Sequence, residues 1–161
     1  MSQIKEQAQL IEQIGIGIEE RLKLSPLASR IYALLILSSV DGLTFEEIRE
    51  TIKASKSSTS VNINVLTQLN YITFYTKPGD RKRYFKLAKY AQLTSLEAEL
   101  QKIDLEMSMV SNINGYNQKY YPEKFTNEAS VGSIFHTYLL KKQELLEDVI
   151  KEMQRFRESE N

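Results

Sequence analysis

The sequence predicts a mainly α-helical protein with one small β-hairpin. Apolar residues recur at spacings of three and four over most of the 161 residues, which is the period of amphipathic helices. β-branched and aromatic residues concentrate in two short runs, 71–76 and 83–87, on either side of the turn sequence Lys77-Pro78-Gly79-Asp80. These two observations predict long helices around one hairpin.

The composition excludes several classes of protein. The chain has no cysteine and one histidine, so we expect no disulfide framework, no metal site, no thiol nucleophile and no Ser-His-Asp triad. The N-terminus lacks the basic start and apolar run of a signal peptide, and the longest apolar run, 31–37, is too short to span a bilayer. We therefore expect a cytoplasmic protein that is not an enzyme and carries no cofactor.

The first helix is predicted over about five turns. Its apolar stripe has Gly15 at one position, and we expect Gly15 and Gly17 to allow close packing against another helix. The stripe consists of Ile4, Ala8, Ile11, Ile18 and Leu22.

Three further helices and the hairpin follow between residues 24 and 89. Ser25-Pro26 predicts the start of a helix that ends at Asp41-Gly42. Thr44 and Glu47 form a capping-box pattern at the start of a short helix over 45–52. A tight connection leads to a third helix over 57–69, which Asn70 closes. These elements follow the order of a winged helix-turn-helix domain, which is helix, helix, tight turn, helix and hairpin.

The formal net charge of zero conceals an uneven distribution. Residues 53–89 contain eight basic residues against the single acid Asp80, an excess of seven that the rest of the chain must balance. This stretch is either a solvated charged face or a surface for a polyanion. The basic residues are Lys53, Lys56, Lys77, Arg81, Lys82, Arg83, Lys86 and Lys89.

The third helix of this region has one face suited to reading DNA. Thr59, Ile63, Leu66 and Leu69 define its buried side, since a helix turns by about 100° per residue. Asn and Gln pair with adenine in the major groove, Ser donates or accepts, and Val meets a thymine methyl group, so we expect an A·T-leaning site. An ordinary solvent-facing stripe is the alternative, but it would be expected to contain glutamate. The candidate residues are Ser57, Ser58, Ser60, Val61, Asn64 and Gln68.

The hairpin supplies basic residues beside that helix. Arg81 and Arg83 would share one strand face and Lys82 the other. Arg81 is the candidate for insertion into the minor groove, while Lys82, Lys56 and Lys53 would neutralise phosphates. Asp80 is expected to brace the turn or Arg81 and not to contact DNA.

The last region, residues 90–161, is predicted to be helical and to form a dimerisation bundle. Its first helix has apolar residues at spacings of 3, 4, 3, 4 and 3, a heptad seam that fits either a dimer interface or packing within one chain. The pattern breaks over 112–130, and a second helix over about 131–156 keeps heptad spacing. We expect residues 1–23 to join this bundle and 24–89 to form the DNA-binding domain. The candidate dimerisation residues are Leu93, Leu96, Leu100, Ile103, Met107, Val110, Leu139, Leu146, Val149 and Met153.

Residues 11–87 resemble the MarR-like regulators, in particular their GbsR-type subgroup. The resemblance lies in the helix start Ser25-Pro26-Leu27-Ala28, the run Leu43-Thr44-Phe45-Glu46-Glu47-Ile48, the serines after Lys56, and Pro78-Gly79-Asp80-Arg81-Lys82. It implies a homodimeric winged-helix regulator of a pseudo-palindromic site, usually a repressor and sometimes relieved by a small ligand. Such proteins often carry Arg just after the serine matched by Ser60, where this chain has Val61.

Two questions stay open at the level of sequence. Aromatic residues between the two late helices could form a cage for a quaternary ammonium effector, of the kind to which some GbsR-type proteins respond, or an ordinary core. The chain could also be a winged-helix protein-interaction adaptor without sequence-specific DNA binding. The candidate effector residues are Tyr116, Tyr120, Tyr121, Phe135 and Tyr138.

Overall fold

A computed structural model describes residues 3–125 and 131–159 of the chain. The helices are α1 (Gln3–Leu22), α2 (Pro26–Ile36), α3 (Phe45–Ile52), α4 (Lys56–Gln68), α5 (Ala91–Tyr120) and α6 (Val131–Ser159). The strands are β1 (Leu43–Thr44), β2 (Ile72–Thr76) and β3 (Arg83–Leu87), and a short 3-10 turn spans Pro122–Phe125. The chain divides after Ala91 into two compact units. The predicted mainly α-helical class with a small β wing is confirmed.

Helices α2, α3 and α4 enclose the core of the first unit together with the hairpin. Its largest fully buried side chains are Ile31, Leu34, Ile48, Leu66 and Ile72. Ser25 caps α2, because its hydroxyl accepts a hydrogen bond from the Ala28 amide at 3.1 Å. The predicted end of α2 at Asp41-Gly42 is wrong. The helix ends at Ile36, and turns lead from there to Gly42.

Helix α1 packs along α2 within this unit. Gly15 is buried at the crossing, where an added Cβ would lie 3.0 Å from the Arg30 side chain. Arg30 donates to Glu12 and Glu19, each at 3.0 Å. Close packing is therefore confirmed for Gly15 but is wrong for Gly17, which is exposed and has open space around it. The predicted participation of α1 in a dimer bundle stays a prediction.

The sheet contains a strand that the sequence did not reveal. The order is β1-β3-β2, with antiparallel pairs placing Leu43 opposite Phe85 and Phe74 opposite Phe85 on the other side. β1 is only two residues long, so its alternation is too short to be detected as a pattern. It anchors the hairpin to the start of α3.

The second unit contains two long antiparallel helices. Lys142 forms an ion pair with Glu99 at 2.9 Å, Gln143 donates to Asp104 at 2.7 Å, and Gln154 donates to Glu97 at 3.2 Å. The predicted break from residue 112 is wrong over its first part, because α5 continues to Tyr120 through the exposed Gly115. A glycine costs a helix only about 1 kcal/mol, whereas Pro122 cannot continue one. The remainder of that stretch, 126–130, lies outside the described residues.

Four of the ten candidate dimerisation residues are buried in the single chain. Leu93, Ile103, Leu139 and Leu146 have exposed fractions of 1%, 3%, 2% and 8%. Side chains so fully covered offer a second copy almost no surface in this conformation. The half-buried residues are Leu96, Leu100, Met107, Val110, Val149 and Met153. Dimerisation through the heptad seam stays a prediction.

Candidate nucleic-acid interface

Helix α4 is fixed at its start by a cap and on one side by the core. The Ser55 hydroxyl accepts a hydrogen bond from the Ser58 amide at 3.1 Å. Thr59 is completely buried, and its hydroxyl donates to the Ser55 carbonyl at 2.9 Å. Ile63 and Leu66 are buried on the same side, as predicted. The predicted burial of Leu69 is wrong: it lies after the last helical residue, off the buried stripe, and is 44% exposed.

A contact that sequence reasoning missed links α4 to the start of α2. The Asn62 side chain accepts a 2.6 Å hydrogen bond from the Ser25 hydroxyl and donates to the Ser58 carbonyl at 2.8 Å. This contact joins α4 to the N-terminal end of α2, so Asn62 acts as a positioning residue. Its partner is 37 residues away in the chain, and no local pattern indicates such a contact.

The outer face of α4 carries every residue predicted to read DNA, and all of them are exposed. Val61 is the most apolar of them and is 61% exposed. The turn before α4 adds Lys53, whose φ of 56° is left-handed, and Lys56, the first residue of the helix. Both lysines are exposed. The exposed residues of the face are Ser57, Ser58, Ser60, Val61, Asn64 and Gln68.

Asp80 braces the turn of the hairpin, as predicted. Its carboxylate accepts hydrogen bonds from the Lys82 amide at 2.9 Å and the Tyr84 hydroxyl at 2.8 Å. These bonds lower the pKa of Asp80, with the bond from the Lys82 amide contributing most. The same contact raises the pKa of Tyr84. Gly79 allows the turn, with a φ of 79°.

We call the hairpin of β2 and β3 the wing. Its outer surface carries a cluster of aromatic and basic residues that the sequence did not indicate. The Tyr75 and Tyr84 rings lie 5.6 Å apart. The Lys77 ammonium lies 4.1 Å from the centre of the Tyr84 ring, and Lys86 lies 5.0 Å from that of Tyr75. Strand alternation places both tyrosines on one face, and only the register of β2 on β3 makes them neighbours.

The structure brings Arg81 and Arg83 together beside α4. They line a cleft between α4 and the wing, with a volume of about 330 Å³. The shared placement of the two arginines matches the sequence prediction, although β3 begins only at Arg83. The Arg83 guanidinium lies 4.6 Å from the centre of the Phe74 ring. We call this space the α4–wing cleft; its lining residues are Phe45, Ser60, Ile63, Asn64, Arg81, Arg83 and Phe85.

The candidate effector residues form two groups of exposed rings. Tyr116 lies 4.8 Å from Tyr120 and 6.4 Å from Tyr121, and Phe135 lies 5.9 Å from Tyr138. All five are between 42% and 59% exposed. Lys119 and Lys124 place their ammonium groups 5.0 Å and 4.8 Å from the rings of Tyr120 and Tyr121. Two of the protein's own cations therefore lie beside rings of the first group.

The comparison with known families agrees with the fold of the first unit. Residues 29–89 match the family model of the winged helix DNA-binding domain. Residues 29–89 are thus similar to a winged helix DNA-binding domain, which agrees with the winged helix-turn-helix order that the sequence predicted. The matching family is one of DNA-binding domains. The assignment to the GbsR-type subgroup stays a prediction.

One curated relative and two solved structures show the extent of the similarity. The chain is 32% identical over 79 residues to the HTH-type transcriptional regulator MmpR5 of Mycobacterium tuberculosis, covering 49% of this chain and 47% of the relative. The chain thus spans about half the length of the curated relative it matches.

Among solved structures, a transcriptional regulator has a TM-score of 0.61 and 19% identity, with 93% of this chain and 99% of that chain covered, which shows a shared fold. The S. aureus MepR–DNA complex has a TM-score of 0.43 and 18% identity, covering 74% of this chain and 95% of that chain, a similarity too low to add to the assignment.

Of the residues that the structure describes, none form a helix long and apolar enough to cross a membrane.

Proposed function

We propose that the protein is a homodimeric transcriptional repressor that binds a pseudo-palindromic, A·T-leaning DNA site. In this proposal α4 lies in the major groove and the wing enters the adjacent minor groove, while residues 1–23 and 90–161 form the dimer bundle. The observation that carries the proposal is the outer face of α4, which is exposed and mainly polar. The sequence has no Asp or Glu from residue 53 to residue 77, a stretch that includes all of α4. A carboxylate there would be repelled by the DNA phosphates.

A second apolar stripe on each long helix supports dimerisation. On α5 the stripe lies apart from the buried side that carries Ile103, and its members are 55% to 65% exposed. An amphipathic surface helix has one apolar stripe, so a second one indicates a further helix as neighbour. The α5 stripe consists of Leu105, Met109, Ile113, Tyr116 and Tyr120.

The stripe on α6 is similarly exposed. Ile134, Tyr138 and Leu145 are 63%, 52% and 64% exposed and line a shallow, mainly apolar groove. A second copy of the chain presents the same surfaces and can cover them in a symmetric bundle, because a two-fold interface uses the same patch on both partners. We call the α5 and α6 stripes together the second stripe. The half-buried residues of the heptad seam would flank it.

DNA binding is tested by fluorescence anisotropy with duplexes from the region upstream of the coding gene, over a series of salt concentrations. We expect affinity to fall steeply with salt, since each phosphate contact releases condensed counterions. Arg81→Ala should abolish binding at moderate salt. Lys102→Gln, which removes one exposed charge of α5, is the matched control and should bind as the wild type does. Affinity that ignores both salt and Arg81 would overturn the proposal.

Base reading by α4 is tested at Asn64, which is exposed on the DNA face. Asn64→Ala should cost about 1–3 kcal/mol on the preferred site and reduce discrimination at one adenine. Selection of preferred sites from a random duplex pool by the wild type and the variant would measure this. An unchanged preference in the variant would show that α4 does not read that base.

A protein-interaction adaptor is the second candidate function, and the exposed Val61 favours it. An apolar side chain 61% exposed in the middle of the face would suit a protein partner as well as a thymine methyl group. Val61→Arg separates the two functions. It should strengthen binding to DNA if α4 faces phosphates and bases, and it should weaken a stoichiometric protein complex if α4 binds a protein.

The proposal includes a small-molecule effector that binds at the two groups of rings. Choline is a suitable probe for calorimetry, because its cation would have to displace Lys119 or Lys124 from the tyrosine rings. Heat of binding that is lost in Tyr120→Ala would support an effector site. No heat, with an unchanged melting temperature, would remove a choline-like ligand.

A further inference from the structure

The outer edge of β2 is open, because β2 pairs with β3 on one side only. The order β1-β3-β2 places β2 at an edge of the sheet, and the described residues supply no strand beyond it. The Ala88 amide donates to the Tyr71 carbonyl at 3.0 Å, and in an antiparallel pair every second residue bonds to the partner strand. Counted from there along the register, Phe74 and Thr76 turn their backbone N–H and C=O groups away from β3.

This edge lacks the features that usually protect an edge strand. Natural proteins block such edges with charged residues, proline or bulges. β2 contains no charged residue and no proline, its register on β3 is unbroken, and Lys77-Pro78 begin only after its last residue. Ile72 is buried, but the strand is accessible from Thr73 to Thr76. An unpaired edge of this kind is a template for an additional strand.

The two faces of the sheet differ in what they offer an added strand beside β2. On the face that carries the core, Phe74 is 40% exposed. On the outer face, Lys86 lies 5.0 Å from the centre of the Tyr75 ring, and Lys77 lies 4.1 Å from that of Tyr84. Successive side chains of a strand point to opposite faces. An apolar side chain therefore suits the position beside Phe74, and an acidic one suits the positions beside the two lysines.

The carboxylates near the outer face are already engaged elsewhere. Glu47 accepts hydrogen bonds from the Thr44 amide and hydroxyl, at the β1 edge of the sheet and thus across it from β2. Asp80 braces the turn of the wing. Neither Lys77 nor Lys86 forms an ion pair within the described parts of the chain. The charge beside β2 therefore complements an acidic partner.

We propose that the outer edge of β2 binds an extended segment of a partner protein in which acidic and apolar residues alternate. The segment adds a fourth, antiparallel strand to the sheet and bonds to the backbone of Phe74 and Thr76. Its acidic side chains lie beside Lys77 and Lys86, and its apolar side chains cover Phe74. This interaction goes beyond the proposed DNA binding and does not depend on it, because the outer face lies on the other side of the sheet from the α4–wing cleft, which Phe85 lines.

A peptide segment fits this edge better than DNA or a second copy of the chain does. The N–H and C=O groups of an edge strand match those of another strand in spacing and direction, whereas a nucleic-acid backbone offers no such donors and acceptors. Pairing of β2 with β2 of a second copy would bring the lysines of both copies together. Like charges opposite each other on neighbouring strands destabilise pairing.

The first experiment uses a short peptide of alternating glutamate and valine, acetylated and amidated at its ends, as the probe. Titration into the full-length ¹⁵N-labelled protein should be saturable. Hydrogen exchange at the Phe74 and Thr76 amides should slow on binding, since both amides point outwards in the free protein. The Tyr75 amide already faces β3 and should change little. A lysine–valine peptide is the matched control and should not bind.

N-methylated peptides test the backbone bonds without changing the protein. In an antiparallel pair, residues that exchange hydrogen bonds have their side chains on the same face, so the valines beside Phe74 supply the bonds to β2. N-methylation of the valines should therefore abolish binding, and N-methylation of the glutamates should leave it intact. Equal binding of the two methylated peptides would overturn the proposal.

The second experiment changes the protein. Thr76→Pro removes one outward N–H and should weaken peptide binding about fivefold, the effect of one hydrogen bond. Thr76→Val keeps that N–H and should bind as the wild type does. Lys86→Gln should weaken binding about threefold, the effect of one exposed ion pair, whereas Lys102→Gln has the same net charge and should not. Melting temperatures identify the variants that fold.

Several results would overturn the proposal. One is the absence of saturable binding by the glutamate–valine peptide, and another is binding without slower exchange at Phe74. Equal weakening in Lys86→Gln and Lys102→Gln would show that affinity follows net charge alone. Slower exchange at Phe74 on raising the protein concentration, with no peptide present, would assign the edge to a second copy. Slower exchange with duplex DNA and none with peptide would assign it to DNA.

Discussion

A few single residues determine whether the wing can form. Gly42 has a φ of 70°, and an added Cβ would overlap the Phe85 carbonyl oxygen of β3. Gly79 has a similar φ but open space around it. Gly42 is therefore required both for its backbone conformation and for the close approach of β1 to β3, whereas Gly79 is required only for the conformation.

Gly42→Ala should destabilise the protein by at least about 2 kcal/mol, because strained backbone and steric overlap act together. Urea unfolding followed by circular dichroism measures the change. Gly17→Ala is the matched control. It lies in an exposed part of α1 and should stabilise the protein by up to about 1 kcal/mol. Equal effects of the two substitutions would contradict the assigned role of Gly42.

Asp80 should make the stability of the wing sensitive to acid. Hydrogen bonds from the Lys82 amide and the Tyr84 hydroxyl lower its pKa in the folded state. A lowered pKa contributes stability that is present above the ordinary carboxyl pKa and is lost as the pH falls through the lowered one. The thermal midpoint of the wild type, followed by tyrosine fluorescence, should therefore fall across that acidic window.

Asp80→Asn should reduce this dependence on pH, since an amide does not titrate there. Glu47 keeps part of the dependence, because its pKa is lowered by hydrogen bonds from the Thr44 amide and hydroxyl. Asp80→Asn with Glu47→Gln should therefore flatten the curve further. An identical pH dependence in wild type and Asp80→Asn would show that the brace does not contribute to stability.

At the scale of elements, helix starts were the most predictable features of the fold. Ser25 and Thr44 cap α2 and α3, and Thr44 and Glu47 complete both halves of a capping box. These signals are local, because the capping side chain bonds to an amide three residues ahead. Helix ends were harder to predict. α2 ends before Asp41-Gly42, and α5 continues past Gly115, because a single glycine costs a long helix only about 1 kcal/mol.

Removal of the α4 cap should fray the helix that carries the proposed DNA-binding face. Ser55→Ala should cost about 1 kcal/mol, because the Ser58 amide loses its acceptor. Hydrogen exchange in the first turn of α4 should speed up, and affinity for DNA should fall with it. Ser57→Ala removes a nearby exposed hydroxyl that caps no amide in the described structure and should leave stability within experimental error. An equal loss of stability in both variants would contradict the role of Ser55 as the cap of α4.

At the scale of the whole molecule, the two long helices each have two apolar stripes. One side of α5, with Ile103, and one side of α6, with Leu139 and Leu146, are buried within the single chain. The second stripe is exposed, and in the proposed homodimer a second copy of the chain would cover it. A heptad pattern shows that a helix has a neighbour, but it does not show whether that neighbour belongs to the same chain.

Substitutions on the two sides of α5 should affect different properties: self-association on the exposed side and stability on the buried side. Leu105→Glu with Met109→Glu should reduce self-association in analytical ultracentrifugation while the helix content stays unchanged, since both side chains are exposed in the single chain. Ile103→Ala should instead lower the free energy of unfolding by about 2–5 kcal/mol, because it leaves a cavity. Dissociation by Ile103→Ala alone, with the double variant unaffected, would place the dimer interface on the heptad seam.

The sequence by itself determined the order of the helices and the hairpin, the starts of the capped helices, the exposed face of α4 and the basic middle of the chain. These features depend on residues within a few positions of each other, where spacing and capping chemistry are sufficient. Only the tertiary structure decided that Arg81 and Arg83 share a cleft with Ser60 and Asn64, that Asn62 bonds to Ser25, and that Ile103 is buried within its own chain. Such contacts join residues far apart in the chain. They depend on how whole elements pack, which no short pattern specifies.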